Sequence, residues 1–160
     1  MDKTLYFLRH ATAELRQVGL ADQPRQLIDK GVRQAEKVAA MLLRQQLVPE
    51  LVLCSPYPRA VQTAQIVCDH AALPAMEQQD WLAIDTPTEI ALNALLQRLP
   101  TFPTQTLLVG HEPDLSHLIG QLLGTSAASL RIKKASLCCL TFNSERRQAQ
   151  LQWLLPVGLM

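Results

Sequence analysis

Five side chains suited to holding an anion fall at three separate points of the chain. Arg9 and His10 stand together in Leu8-Arg9-His10-Ala11-Thr12-Ala13-Glu14. Ser55 and Arg59 share the segment Cys54-Ser55-Pro56-Tyr57-Pro58-Arg59-Ala60-Val61-Gln62-Thr63-Ala64. His111 stands in Leu108-Val109-Gly110-His111-Glu112-Pro113-Asp114. Arginine stays charged at any working pH and offers a planar fork that matches two oxygens of a phosphate. Imidazole attacks phosphorus through an unprotonated nitrogen, provided an acceptor such as a backbone carbonyl holds the other N–H. A lone Arg-His pair would carry little weight. Two arginines and two histidines in one crevice would repel one another without an anion, and a tetrahedral phosphate is their natural guest.

Each of these segments begins where an apolar run ends, so strands must carry the residues to a common edge. Thr4–Leu8, Leu51–Cys54 and Thr106–Val109 read as short buried strands. Helices are expected over Gly31–Gln46, Pro58–Ala71 and Asp114–Leu123, with another marked by Leu92, Leu95, Leu96 and Leu99. Ser55 is placed to cap the second helix, whose first turn holds Pro58. Ser136–Phe142 and Gln148–Leu155 flank the polar turn Asn143–Arg147 and read as a hairpin. Alternation of strands and helices implies an α/β fold, a three-layer α/β/α sandwich. Its central sheet is mostly parallel, with an antiparallel edge from the C-terminal hairpin. In such sheets ligands bind beyond the carboxyl ends of the strands. A helix N-terminus beside Ser55–Arg59 adds free N–H groups to that edge.

The whole chain, 1–160, is long enough for one domain and 48% apolar, so it can bury a core without disulfides or metals. Fifteen Lys and Arg nearly cancel fourteen Asp and Glu, a balance that argues against a nucleic-acid or membrane-surface binder. Only Leu5 to Leu8 are apolar before Arg9, too short a run for a signal peptide, and no stretch approaches a membrane span; a cytoplasmic protein is expected. Cys54, Cys68, Cys138 and Cys139 contain no CxxC pair and read as small buried hydrophobes. His117 falls among Leu115, Leu118 and Ile119, and His70 closes a helix; neither is placed with the pocket.

The three segments together resemble the histidine phosphatase superfamily, and within it the small phosphohistidine phosphatases of the SixA type. The resemblance runs from Leu5 to about Leu123 and rests on Arg9-His10, on Ser55-Pro56-x-x-Arg59-Ala-x-Gln-Thr and on Gly110-His111-x-Pro113. Arg25-Gln26-Leu27-x-x-x-Gly31 is a weaker marker. It implies that His10 is the nucleophile taking the phosphoryl group, that Arg9 and Arg59 clamp its oxygens, and that His111 completes the catalytic set. A charged His111 would donate to a third oxygen, and Thr12 and Ser55 would add hydroxyls to substrate binding. No metal and no other cofactor is implied. Ala11 stands where the superfamily has Gly, which a residue at negative φ tolerates. Ile28 stands for a frequent Thr, with Asp29 placed to take over as cap.

A general acid is harder to find. Glu112 is the nearest candidate, with Asp80 and Asp85 in a loop as others. Phosphate esters need one, because an alkoxide is a poor leaving group. Phosphohistidine does not, because its ring leaves neutral once the distal nitrogen is protonated. Residues 60–110 also leave little chain for the lid that larger relatives build. The leading expectation is therefore a phosphatase for a phosphohistidine-bearing protein, a phosphotransfer domain being one such partner. The alternatives are a small-molecule phosphomonoesterase, for a sugar phosphate or nucleotide, and a non-catalytic phosphate-binding domain. The last would be marked by loss of His10 or an arginine, and neither is lost.

Overall fold

Period-two alternation along the apolar runs sorts their side chains onto two faces of one sheet. Along β1 (Asp2–Arg9), Tyr6 and Leu8 turn one way and Leu5 and Phe7 the other. Val52 and Cys54 of β2 (Leu51–Cys54), and Leu107 and Val109 of β4 (Gln105–Gly110), join Tyr6 and Leu8. Leu53 and Leu108 join Leu5 and Phe7. In the computed structural model, which describes residues 2–160, α1 (Asp29–Arg44) and α2 (Pro58–Ala71) cover the first face. The second face is covered by α3 (Thr88–Arg98) and α4 (Asp114–Leu123). Cys138 and Cys139 of β5 (Leu137–Asn143) lie in opposite cores, and all four cysteines are buried and free.

The sheet order is β3-β2-β4-β1-β5-β6, with β3 the two-residue edge Glu77–Gln78 and β6 spanning Gln148–Leu155. Strands β3, β2, β4 and β1 pair in parallel, whereas β5 runs antiparallel to both β1 and β6. The three-layer α/β/α sandwich with a mostly parallel sheet and an antiparallel C-terminal hairpin is thus the observed fold. Register carries the strand ends to one line: Arg9 lies opposite Gly110, and Cys54 opposite Val109. The ladder continues one step further, as His10 N–H donates to the Gly110 carbonyl at 2.9 Å and Ser55 N–H to Val109 at 3.0 Å.

Two helix starts differ from expectation. The cap position of α2 is Tyr57, not Ser55. Tyr57 precedes Pro58, which holds it in extended backbone, so the helix begins at Pro58. Asp29 is the first residue of α1 rather than its cap, which is Ile28, without a side-chain bond. The edge strand β3 has no counterpart in the sequence reading, since two exposed polar residues show no period. Among the described residues no helix is long and apolar enough to cross a membrane.

Candidate functional site

The loop leaving β1 turns into the sheet edge at once, and His10 is only 5% exposed. Its Nδ1 lies 2.8 Å from the Ala11 carbonyl oxygen. A carbonyl only accepts, so Nδ1 carries the hydrogen and Nε2 is left with its lone pair. Burial pushes the His10 pKa down to about 4, with the charges of Arg59, Arg9 and Arg25 adding to the effect. The ring is therefore neutral at neutral pH, as a nucleophilic imidazole must be.

His111 leaves β4 beside it, the two rings 5.2 Å apart at an interplanar angle of 56°. Burial first, then His10 and the two arginines, push its pKa to about 3. The expectation of a charged His111 is thus corrected: buried beside His10 and two guanidiniums, the ring is neutral at neutral pH. It remains a donor. Ser55 Oγ accepts from the Tyr57 N–H at 3.2 Å and lies 2.7 Å from His111 Nε2. Among the described residues Nε2 is the one acceptor within reach of the Ser55 hydroxyl, and a hydroxyl donating there places the ring hydrogen on Nδ1, a buried atom with no partner among those residues.

The arginines are held by opposite walls. Arg9 donates from one terminal nitrogen to the Ile132 carbonyl at 3.0 Å. Arg59 is fully buried, its guanidinium 5.1 Å from the centre of the Tyr57 ring. It donates to the Asp22 carboxylate at 2.8 Å and to the Asp22 carbonyl at 3.1 Å. Arg25 Nε binds the other Asp22 oxygen at 2.8 Å. Burial works against the charge on Asp22, yet Arg59 and Arg25 outweigh it and hold the carboxyl below its ordinary range. Arg9 Nε and Arg59 Nε are, like His111 Nδ1, buried without a partner among the described residues. Each such donor costs about 1–3 kcal/mol, which an oxyanion accepting from it would recover.

A second set of bonds fixes this loop. Thr63, one turn along α2 from Arg59, donates to the Arg59 carbonyl at 2.7 Å and accepts from the Ala11 N–H at 3.0 Å. Gln62 accepts from the Leu27 N–H at 2.8 Å. The side-chain Oε1 of Gln34 accepts from both the Thr12 N–H and the Thr12 hydroxyl, each at 2.9 Å. Sequence reading passed over Asp22 and Gln34, and named Arg25, Gln62 and Thr63 only as parts of family motifs, without a role of their own.

Several expected residues are near the pocket but otherwise engaged. The hydroxyls expected to bind substrate are committed elsewhere, Thr12 to Gln34 and Ser55 to His111. Glu112 accepts from the Ser116 N–H at 2.8 Å and from its hydroxyl at 2.5 Å, so both carboxylate oxygens serve the first turn of α4. Asp80 and Asp85 are exposed in the 79–87 segment. His70 and His117 are exposed on α2 and α4. No group of three or more His, Cys, Asp and Glu among the described residues is placed to hold a metal ion.

Comparison with known proteins places this geometry. A relative from Picosynechococcus sp., itself uncharacterized, is 34% identical over 164 residues, covering 95% of this chain and 99% of its own. The protein histidine phosphatase SixA complexed with tungstate superposes with a TM-score of 0.85 at 23% identity, over 97% of each chain. A putative α-ribazole-5′-P phosphatase from Escherichia coli superposes with a TM-score of 0.74 at 22% identity, again over 97% of each chain. These two share the fold with this protein and, by their descriptions, differ in substrate. The model of the histidine phosphatase superfamily, branch 1, matches residues 5–86, the stretch that carries the Arg9-His10 strand end and Arg59. With more than half its length matched, the chain belongs to the histidine phosphatase superfamily, branch 1, and is thereby a phosphatase.

Proposed function

We propose that this protein removes the phosphoryl group from phosphohistidine on another protein, through a covalent intermediate on His10. In the first step the lone pair on His10 Nε2 attacks phosphorus and the P–N bond to the substrate ring breaks. The electron pair stays on the departing nitrogen, and the ring leaves neutral because its distal nitrogen already holds a proton. Arg9, Arg59 and His111 Nδ1 bind the oxygens as charge spreads over them in a loose transition state. In the second step water attacks the phosphorylated His10, releasing inorganic phosphate and restoring the free imidazole.

The observation that carries the choice of substrate is the commitment of Glu112 to Ser116. The other carboxylate near the clamp, Asp22, is held ionised by Arg59 and Arg25 and is a poor proton donor at neutral pH. A pocket strong in oxyanion donors and lacking a poised acid suits a P–N bond better than an ester. The 79–87 segment supports the same reading. It is tied down to α4, with the Asp85 N–H donating to Asp114 at 2.9 Å.

The test is to mix the enzyme briefly with a phosphohistidine peptide, quench in alkali, where phosphohistidine survives, and locate the label by mass spectrometry. Label is expected on His10, bonded through Nε2, and in no His10→Ala sample. Label forming from a sugar phosphate but not from phosphohistidine would promote the phosphomonoesterase reading instead.

A further inference from the structure

Beside the catalytic pocket, and sharing Arg9 with it, lies a trough of about 1380 Å³. One wall is a face of α1 bearing Lys30, Arg33 and Lys37, which recur at helical spacing and span about 10 Å of helix. The other wall carries Arg131, Lys133 and Lys134, on the segment leading into β5. Pro156, Val157 and Leu159 of the C-terminal turn contribute an aliphatic surface. Against these cations the lining contains one carboxylate, Glu36. None of the six has an ion-pair partner within 4 Å among the described residues. Burial, then Arg9, Arg25 and Lys30, press the Lys134 pKa downward, so the positive charges are close enough to feel one another.

This segregation occurs in a chain whose net charge is only +1. Spread evenly, these side chains would meet the acidic residues of the same surface. Gathered beside the nucleophile, they form a field that attracts an acidic partner and orients it. The lining has no aromatic ring, so it offers no platform on which nucleic-acid bases could stack. Its aliphatic end instead fits protein side chains.

We infer that the trough docks a carboxylate-rich surface of the phosphoprotein, flanking the phosphohistidine that enters the catalytic pocket. The inference rests on the phosphohistidine reading for the identity of the partner, but the trough's preference for acidic protein is testable without it.

Two phosphohistidine peptides serve as probes, identical except that the phosphohistidine is flanked on both sides by Glu triplets or by Gln triplets. For the wild-type enzyme at low salt, kcat/KM on the Glu-flanked peptide should be about tenfold higher, chiefly through KM, and the difference should fade as salt is raised. The variant K30Q/R33Q/K37Q alters exposed side chains and should abolish that preference. Its turnover of phosphoramidate, too small to reach the trough, should stay within about twofold of wild type. The unphosphorylated, fluorescein-labelled peptides give the same comparison as binding by fluorescence anisotropy, with no turnover required. If wild type hydrolyses neither phosphohistidine peptide but binds the Glu-flanked one preferentially, the phosphohistidine reading fails and the trough stands. Equal binding and equal kcat/KM on the two peptides would overturn the trough. So would a preference that survives in the triple variant, or polyuridylate binding more tightly than the Glu-flanked peptide.

Discussion

His10 has one ring nitrogen occupied by the Ala11 carbonyl and the other left to react, while burial and three arginines keep the ring uncharged. The same cations that favour a bound phosphate thus hold its proposed nucleophile in the reactive protonation state. Arg9 and Arg59 are not interchangeable with lysine here, because each combines a bond to the protein with donors left for the guest. Arg9→Ala and Arg59→Ala should each lower kcat/KM by an amount corresponding to about 2–5 kcal/mol, and the Lys variants should recover only part of it. Steady-state kinetics check this, and a Lys variant with full activity would remove the fork from the account. The neutral histidines also make a stability claim. In the unfolded chain a histidine takes up its proton near pH 6.5, whereas folded His10 and His111 do so only near 4 and 3. Between those values the unfolded chain binds more protons, so stability is fullest above about pH 6.5 and is lost as pH falls toward 4. Urea midpoints should drop between pH 7 and pH 5, and drop less in His10→Asn.

Elements position these groups through close backbone contacts rather than through regular structure alone. Gly31, in the first turn of α1, packs so tightly on the loop after β1 that an added Cβ would lie 2.0 Å from the Thr12 carbonyl oxygen. Thr12 follows the residue that holds His10 Nδ1, so Gly31→Ala should cost about 1–3 kcal/mol in stability and lower kcat as well. A chemical-denaturation curve beside the kinetics checks both, and an unchanged kcat would separate this contact from the site. The strands and helices that frame the pocket were legible in the sequence because strong punctuation bounds them. Pro58 opens α2, and Leu51–Cys54 is a short apolar run between polar turns. Arg9, His10, Arg59 and His111 could be grouped because all four follow strand ends. Asp22 and Arg25 could not. They lie in a polar loop without period, and only the folded chain brings that loop back over Arg59. The engagement of Glu112 by Ser116 was equally hidden, since both reactive-looking and capping carboxylates read alike next to a helix start.

For the molecule as a whole, two cores on either face of one sheet fix three strand ends in register, and the chemistry rests on that alignment. The chain adds little above it. The 79–87 segment lies down against α4, with Trp81 and Thr86 lining the same small space as His111, and the basic trough opens beside Arg9. On the proposed reading, such an architecture presents its phosphate pocket to a phosphorylated side chain of another protein. The most direct test is competition in one vessel between a phosphohistidine protein and a panel of sugar phosphates, nucleotides and phosphoserine peptide, each kcat/KM read from its rate of disappearance. The account predicts that phosphohistidine is consumed far faster than any ester, whereas preferential consumption of a sugar phosphate or nucleotide would contradict it.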